Sequence, residues 1–238
     1  EEHPKLEGTI YTAKNEILDE RITSSSNVMG VYCDVRDPNT ISNCVNQVAE
    51  EFGGLDGVIL NASALCLNST LNQEHKEISL MSSVNINGTF IVGQQALKYI
   101  KDSSHGSVLT ISPPMDMIDT DDWWINHLYY SMSKYNMSLM AKFWNKEFPN
   151  VGVNTLWPRT TIDTAPVRNI LGGESMSNIS RNTQIMGEAA KHILLADPLK
   201  CSGKNFIDDE VLTSLDIDVE QYRVNKEISE KDLMPDFF

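Results

Sequence analysis

Short apolar runs, each closed by a proline or a polar residue, alternate with longer amphipathic stretches along almost the whole chain. That alternation constrains the fold more than any other feature. Runs at 27–34, 56–61, 107–112 and 151–156 are largely apolar, as a strand must be when both faces of its sheet are covered, and 203–208 reads as a last strand. The stretches between them repeat apolar residues at helical spacing. The clearest, 38–52, sets Ile41, Val45, Val48 and Phe52 on one face, with Pro38 at its start and Gly53-Gly54 as its stop. Further helices are expected at 6–20, 72–80, 81–101, 126–148 and 182–196. Strand and helix in strict turn imply an α/β fold, a doubly wound parallel sheet with helices on both faces. In such a sheet ligands bind at the carboxyl ends of the strands, which here are Asp34, Asn61, Ser112 and Pro158 with their neighbours.

Charge narrows the function classes. The formal net charge of −14 repels phosphate backbones and anionic lipid surfaces, so a nucleic-acid or membrane-surface role is not expected, and a small-molecule role is. No apolar run approaches the roughly 18 residues that a membrane helix needs. The first residues have neither the basic start nor the apolar stretch of a signal peptide, and they lack an initiating Met. Cys33, Cys44, Cys66 and Cys201 are scattered without CxxC or Cys/His spacing, which suits reduced thiols in an intracellular protein and no bound metal. The acidic remainder at 209–238 is expected as a surface-hugging or partly disordered tail after a domain spanning 1–208.

Tyr130 and Lys134 stand at i and i+4 within the expected helix 126–148, so both side chains leave the same face and can act on one ligand. Spacing alone is weak, because Tyr222 and Lys226 repeat it in the acidic remainder, where nothing else suggests a site. Context separates the two pairs. Tyr130 lies between a strand ending in Ser112 and one ending before Pro158.

The motifs DVRD, FGGLDGVILNAS, VNINGTF, LTISPP, YSMSK and VNTLWPRTTIDT occur in the order found in short-chain dehydrogenases/reductases, and the chain resembles that family over nearly all its length. The resemblance implies a Rossmann-like domain that transfers hydride between NADP (or NAD) and a carbonyl or alcohol substrate. It implies Tyr130 as the catalytic acid/base, with Lys134 lowering the phenol's pKa and holding the nicotinamide ribose. It implies Asn85 as the helix-kinking residue of the proton relay. Asp34, with Val35 beside it, would meet the adenine ring or else simply end a strand in a turn. Asn61 and Ala62 would lie along the cofactor, and Pro158 and Thr164 would bound its nicotinamide end, although Arg159 stands where the family has glycine. Pro113 fills the family's usual serine position, so Ser112 either polarises the carbonyl from one residue earlier or caps a turn. Met137, Met140, Phe143 and Trp144 read first as core, while the resemblance implies a homodimer through 81–101 and 126–148. It also implies a peroxisomal or mitochondrial location.

The family's TGxxxGxG turn, which binds pyrophosphate at a helix N-terminus, is not supplied by any of the 13 glycines. The expectation is therefore an N-terminally truncated domain lacking two central strands and the helix between them, with weak cofactor binding. A non-catalytic pseudo-enzyme or dimerisation partner is the alternative.

Overall fold

A computed structural model describes residues 8–19, 27–119 and 126–236. Four strands form one parallel sheet in the order β1 (Gly57–Leu60), β2 (Ser107–Ile111), β3 (Gly152–Trp157) and β4 (Asn205–Ile207). Eight α-helices are described: α1 (Ile10–Asp19), α2 (Pro38–Phe52), α3 (His75–Met81), α4 (Thr89–Ile100), α5 (Leu128–Glu147), α6 (Gly173–Asn178), α7 (Gln184–Leu195) and α8 (Asp208–Thr213). The doubly wound α/β reading holds in detail, because neighbouring residues of a strand serve opposite cores. Val108 packs with Ala96, Leu97, Ile100 and Trp144 under α4 and α5. Leu109 packs with Ile185, Ala189 and Ile193 of α7 and Leu212 of α8. The pleat turns successive side chains to opposite faces, so a sheet sandwiched by helices needs apolar residues at both.

Local signals set α2 as expected. Asp37 caps it by accepting from the Asn39 amide at 2.9 Å, Pro38 occupies the first turn, and Gly53 closes it in the left-handed region at φ 76°. Tyr99 of α4 donates to Asn46 of α2 at 2.9 Å, locking these two helices side by side. Trp144 lies so close over Gly93 that a Cβ there would stand 2.3 Å from its ring, so this crossing of α4 and α5 depends on glycine.

One expectation is corrected. Residues 27–34 form no strand. A strand exists only through a ladder partner, and the described strands pair in the order β1 to β4 without one beside this segment. It runs instead against the start of α1, where Gly30 approaches the Ile10 carbonyl. Within the acidic segment, described over 209–236, Leu212 is fully buried, Tyr222 and Leu233 are nearly so, and Leu212 and Tyr222 sit in the same core as Leu109 and Ile185.

Fully buried Arg181 ties that segment down, pairing with Asp209 at 3.3 Å and with Glu230, while its backbone bridges to Ile162 and Arg223. Truncating Leu212 to Ala should therefore cost about 2–5 kcal/mol, as for a core leucine. Urea unfolding of L212A measures this, and a cost below about 0.5 kcal/mol, usual for surface positions, would mark the segment as peripheral.

Candidate active site

The carboxyl ends of β1, β2 and β3 open onto a cavity of about 660 Å³. Its wall contains Tyr130 and Lys134 from α5, Asn61 and Ser63 after β1, and Pro158, Thr161 and Thr164 after β3. Apolar side chains supply most of the remainder, among them Leu65, Ile162, Val167 and Met186. Neither Tyr222 nor Lys226 lines it: Tyr222 is buried in the core on the α7 side of the sheet, and Lys226 meets the Gln221 carbonyl.

Lys134 is held by the sheet itself. Its ammonium donates to the Ile111 carbonyl, the last of β2, at 2.7 Å, and lies 5.3 Å from the centre of the Trp157 ring. Burial pulls its pKa down to about 8, with the carboxylate of Asp236 opposing that fall. Tyr130, also buried, has its phenol pushed well above its ordinary value, by burial first and by Asp236 second. Tyr130 is thus a protonated phenol in this state.

Asn85 sits behind the wall, fully buried, within a π-helical turn (Ser82–Gly88) that joins α3 to α4. Its amide clamps the loop after β1. The side-chain oxygen accepts from the Ala64 N–H at 2.6 Å, and the nitrogen donates to the Ala64 carbonyl at 3.0 Å and to Ser133 at 2.8 Å. Ser133 in turn donates to the Tyr130 carbonyl at 2.7 Å, so one buried chain of hydrogen bonds fixes the Asn61 loop relative to Tyr130. A π-turn inserts one residue into the helical ladder, which lets Asn85 turn inward at the kink that the resemblance implied.

The other expected residues fall outside the wall. Ser112 is fully buried, its hydroxyl has no hydrogen-bond partner among the described residues, and it is not among the residues lining the cavity. Ala62 is exposed beside Asn61. Asp34 and Val35 lie apart from the cavity: Asp34 pairs with Arg36 at 2.6 Å, which holds its carboxyl down at about 2, and Val35 packs over Gly88. Arg159 does not enter the cavity either, its guanidinium pairing with Asp209 at 2.7 Å and with Glu210.

Asp236, Trp157 and Asp208 take part without having been singled out as site residues. Asp236 could have been noticed as an acid inside the apolar run Leu233-Met-Pro-Asp-Phe-Phe. Asp208, fully buried at the end of β4, accepts from the Arg159 and Asp209 amides at 2.8 Å each.

A family model for short chain dehydrogenase matches residues 9–171. The chain belongs to the short-chain dehydrogenase family. Hydroxysteroid dehydrogenase-like protein 2 of Xenopus tropicalis is 37% identical over 240 residues, covering 100% of this chain and 55% of that protein. The chain thus spans about half the length of the curated relatives it matches. Among solved structures, a short chain dehydrogenase from Mycobacterium thermoresistibile superposes with a TM-score of 0.87 at 33% identity, over 100% of this chain and 82% of that one. A more distant one from Burkholderia cenocepacia, solved in complex with NADP, shares the fold at a TM-score of 0.63 and 18% identity, over 74% and 72% of the two chains.

Two desolvated acids predict an unusual pH dependence. Desolvation raises fully buried Asp208 to about 6 and partly buried Asp236 to about 8, above the ordinary aspartate value. The folded chain therefore binds more protons than the unfolded chain between about 4 and those values, and stability from these two groups falls as pH rises through that window. Asp34, held at about 2, has the opposite sign: its contribution is present above its unfolded pKa and lost as pH falls toward 2. Asp208→Asn can keep both amide contacts, so its urea midpoint should fall less between about pH 5 and pH 7 than that of the wild type. An equal fall in both would show that Asp208 ionises normally.

Proposed function

We propose that the protein is an NAD(P)-dependent oxidoreductase, with NADP(H) the expected cofactor, that interconverts a carbonyl and an alcohol on a largely apolar small molecule. The family and the fold support an oxidoreductase. The single observation that carries the finer reading is the placement of Tyr130 and Lys134 together in the wall of one apolar cavity at the carboxyl ends of the strands.

The cavity fits the nicotinamide and ribose end of such a cofactor. An ammonium has three donors, and the Ile111 carbonyl takes one, which leaves Lys134 able to hold vicinal hydroxyls. Asn61, Pro158 and Thr164 line the same space and would bound the nicotinamide side. When bound, the cofactor supplies or accepts the hydride. Tyr130 handles the proton: as a phenol it donates to the carbonyl oxygen during reduction, and as a phenolate it takes the hydroxyl proton during oxidation. Lys134, one helical turn away, would favour the phenolate by its charge once a ligand is bound, whereas without one the phenol stands above its ordinary value. Leu65, Ile162, Val167 and Met186 keep water from the reacting carbon.

One observation favours the non-catalytic alternative. The Ser112 hydroxyl is buried outside the cavity wall and is not placed to polarise a carbonyl. Substitution separates the readings. Tyr130→Phe should lower turnover of a carbonyl panel with NADPH by about 10²–10⁴-fold while NADPH binding persists. Turnover unchanged by that substitution, or absent from the wild type, would favour the non-catalytic role.

The same reading includes a homodimer. Met132, Leu139 and Phe143 form an exposed apolar stripe on α5 at helical spacing, and Phe90 of α4 is exposed as well. Phe143→Glu should shift the mass measured by light scattering from dimer to monomer. A peroxisomal or mitochondrial setting belongs to this reading too, and imaging of the tagged protein tests it.

A further inference from the structure

The stretch between β3 and α7 closes into a loop whose two ends are bound to each other. The Asp163 N–H donates to the Arg181 carbonyl at 2.8 Å, the Arg181 N–H donates to the Thr161 carbonyl at 3.0 Å, and the hydroxyls of Thr161 and Ser180 meet at 2.7 Å. Between these ends lie a π-helical turn (Val167–Leu171) and α6, and Gly173 turns the chain from one to the other in the left-handed region at φ 65°. Thr164, Pro166, Val167 and Leu171 from this loop line the cavity. Residues 164–178 are thus a flap, anchored at both ends and largely apolar on its cavity side, the form that loops covering a ligand site take.

One side chain at the anchor holds both helical pieces. Oδ1 of Asp163 accepts from Arg168 Nε and from the Ser177 hydroxyl at 2.7 Å each, and Oδ2 meets a terminal nitrogen of the same guanidinium. Arg168 stands on the π-helical turn and Ser177 on α6, so a single carboxylate fastens each piece to the anchor. The pair is dry on one side and wet on the other: the Asp163 side chain is 7% exposed and that of Arg168 61%. We propose that Asp163 is the latch of this flap, and that release of Arg168 and Ser177 from its carboxylate opens the cavity to an apolar ligand. This rests on the cavity being the ligand site of the function given above, and not on the chemistry of Tyr130 and Lys134.

The contacts suit a catch that closes and reopens. A buried carboxylate needs partners, and the Arg168 fork supplies two donors to it, which favours the closed flap. When the pair parts, water takes over the exposed guanidinium, so the catch is not permanent. The anchor is independent of the latch, being made by backbone groups and by the Thr161 and Ser180 hydroxyls, and flap movement therefore leaves β3 and α7 in place. Val167, nearly fully buried, is uncovered on opening. An apolar ligand that touches Val167 and Leu171 binds the closed form better and shifts the flap toward it.

Hydrogen exchange followed by mass spectrometry reads the flap in the full chain without any ligand. In Asp163→Asn and in Arg168→Gln the amides of 164–178 should exchange several-fold faster than in the wild type, while those of β3 and α7 keep their wild-type rates. Asp163→Glu, which keeps the charge, should restore part of the protection. Nile red, a neutral apolar dye, then reports on access. Its association and dissociation rates should both rise in Asp163→Asn with little change in Kd, because Asp163 is not among the residues lining the cavity. Unchanged exchange across 164–178 in both variants overturns the proposal, and so does a rise shared equally by β3 and α7, which would mark Asp163 as a general support of the fold. Faster exchange with unmoved dye rates, or no dye uptake by any of these proteins, overturns the control of entry. If Asp163→Asn does not fold, Arg168→Gln, altered at an exposed side chain, carries both measurements. Failure to turn over NADPH would count against the proposed function and leave both readouts unaffected.

Discussion

The contact between the Lys134 ammonium and the Ile111 carbonyl connects the sheet to the chemistry. A parallel strand that ends inside a protein leaves carbonyls without a ladder partner, and buried carbonyls need one. Here a helix side chain reaches across to satisfy the last residue of β2. The same bond holds Lys134, the only cation among the described residues of the cavity wall, and fixes α5 in rotation, which places Tyr130 one turn earlier on the same face. Sheet end, helix orientation and functional pair are thus set by one hydrogen bond, and its strength rises in the low-dielectric surroundings that also depress the lysine's pKa.

Asn85 does the corresponding work on the other side. An amide can donate and accept at once, and buried in a π-helical turn it grips both backbone groups of Ala64 while reaching Ser133. Such a network is stable only when every member is satisfied. That condition ties the loop after β1, the kink between α3 and α4, and the helix carrying Tyr130 into one rigid unit. The chain from 208 onward is tied in differently, by charge: Arg181, buried among Asp209 and Glu230, has that stretch folded round it, and the stretch then brings Asp236 to the wall.

Much of this was legible in the sequence because it depends on local periodicity. Asp37-Pro38 and Gly53 mark both ends of α2, and the apolar runs at 107–112 and 151–156 become β2 and β3 almost unchanged. Tyr130 and Lys134 share a face through helical spacing alone. Residues 27–34 show where this reasoning stops: the apolar pattern of a strand is present, yet pairing is a property of the neighbour and not of the segment. Acidic composition likewise gave no warning that Leu212 and Tyr222 complete the core against α7.

The sequence by itself determined the order of elements, the two-faced sheet and the functional pair, since each follows from side-chain period and from the motifs that carry the family resemblance. Tertiary structure decided what the pair faces. It buried Ser112 outside the cavity wall, paired Arg159 with Asp209, and brought Asp236 into the same wall as Lys134. These outcomes depend on which buried charge finds which partner. Residues far apart in the chain, such as Arg159 and Asp209, settle that only when the fold closes, because the desolvation and pairing that fix a charge act through space and leave no local period to read.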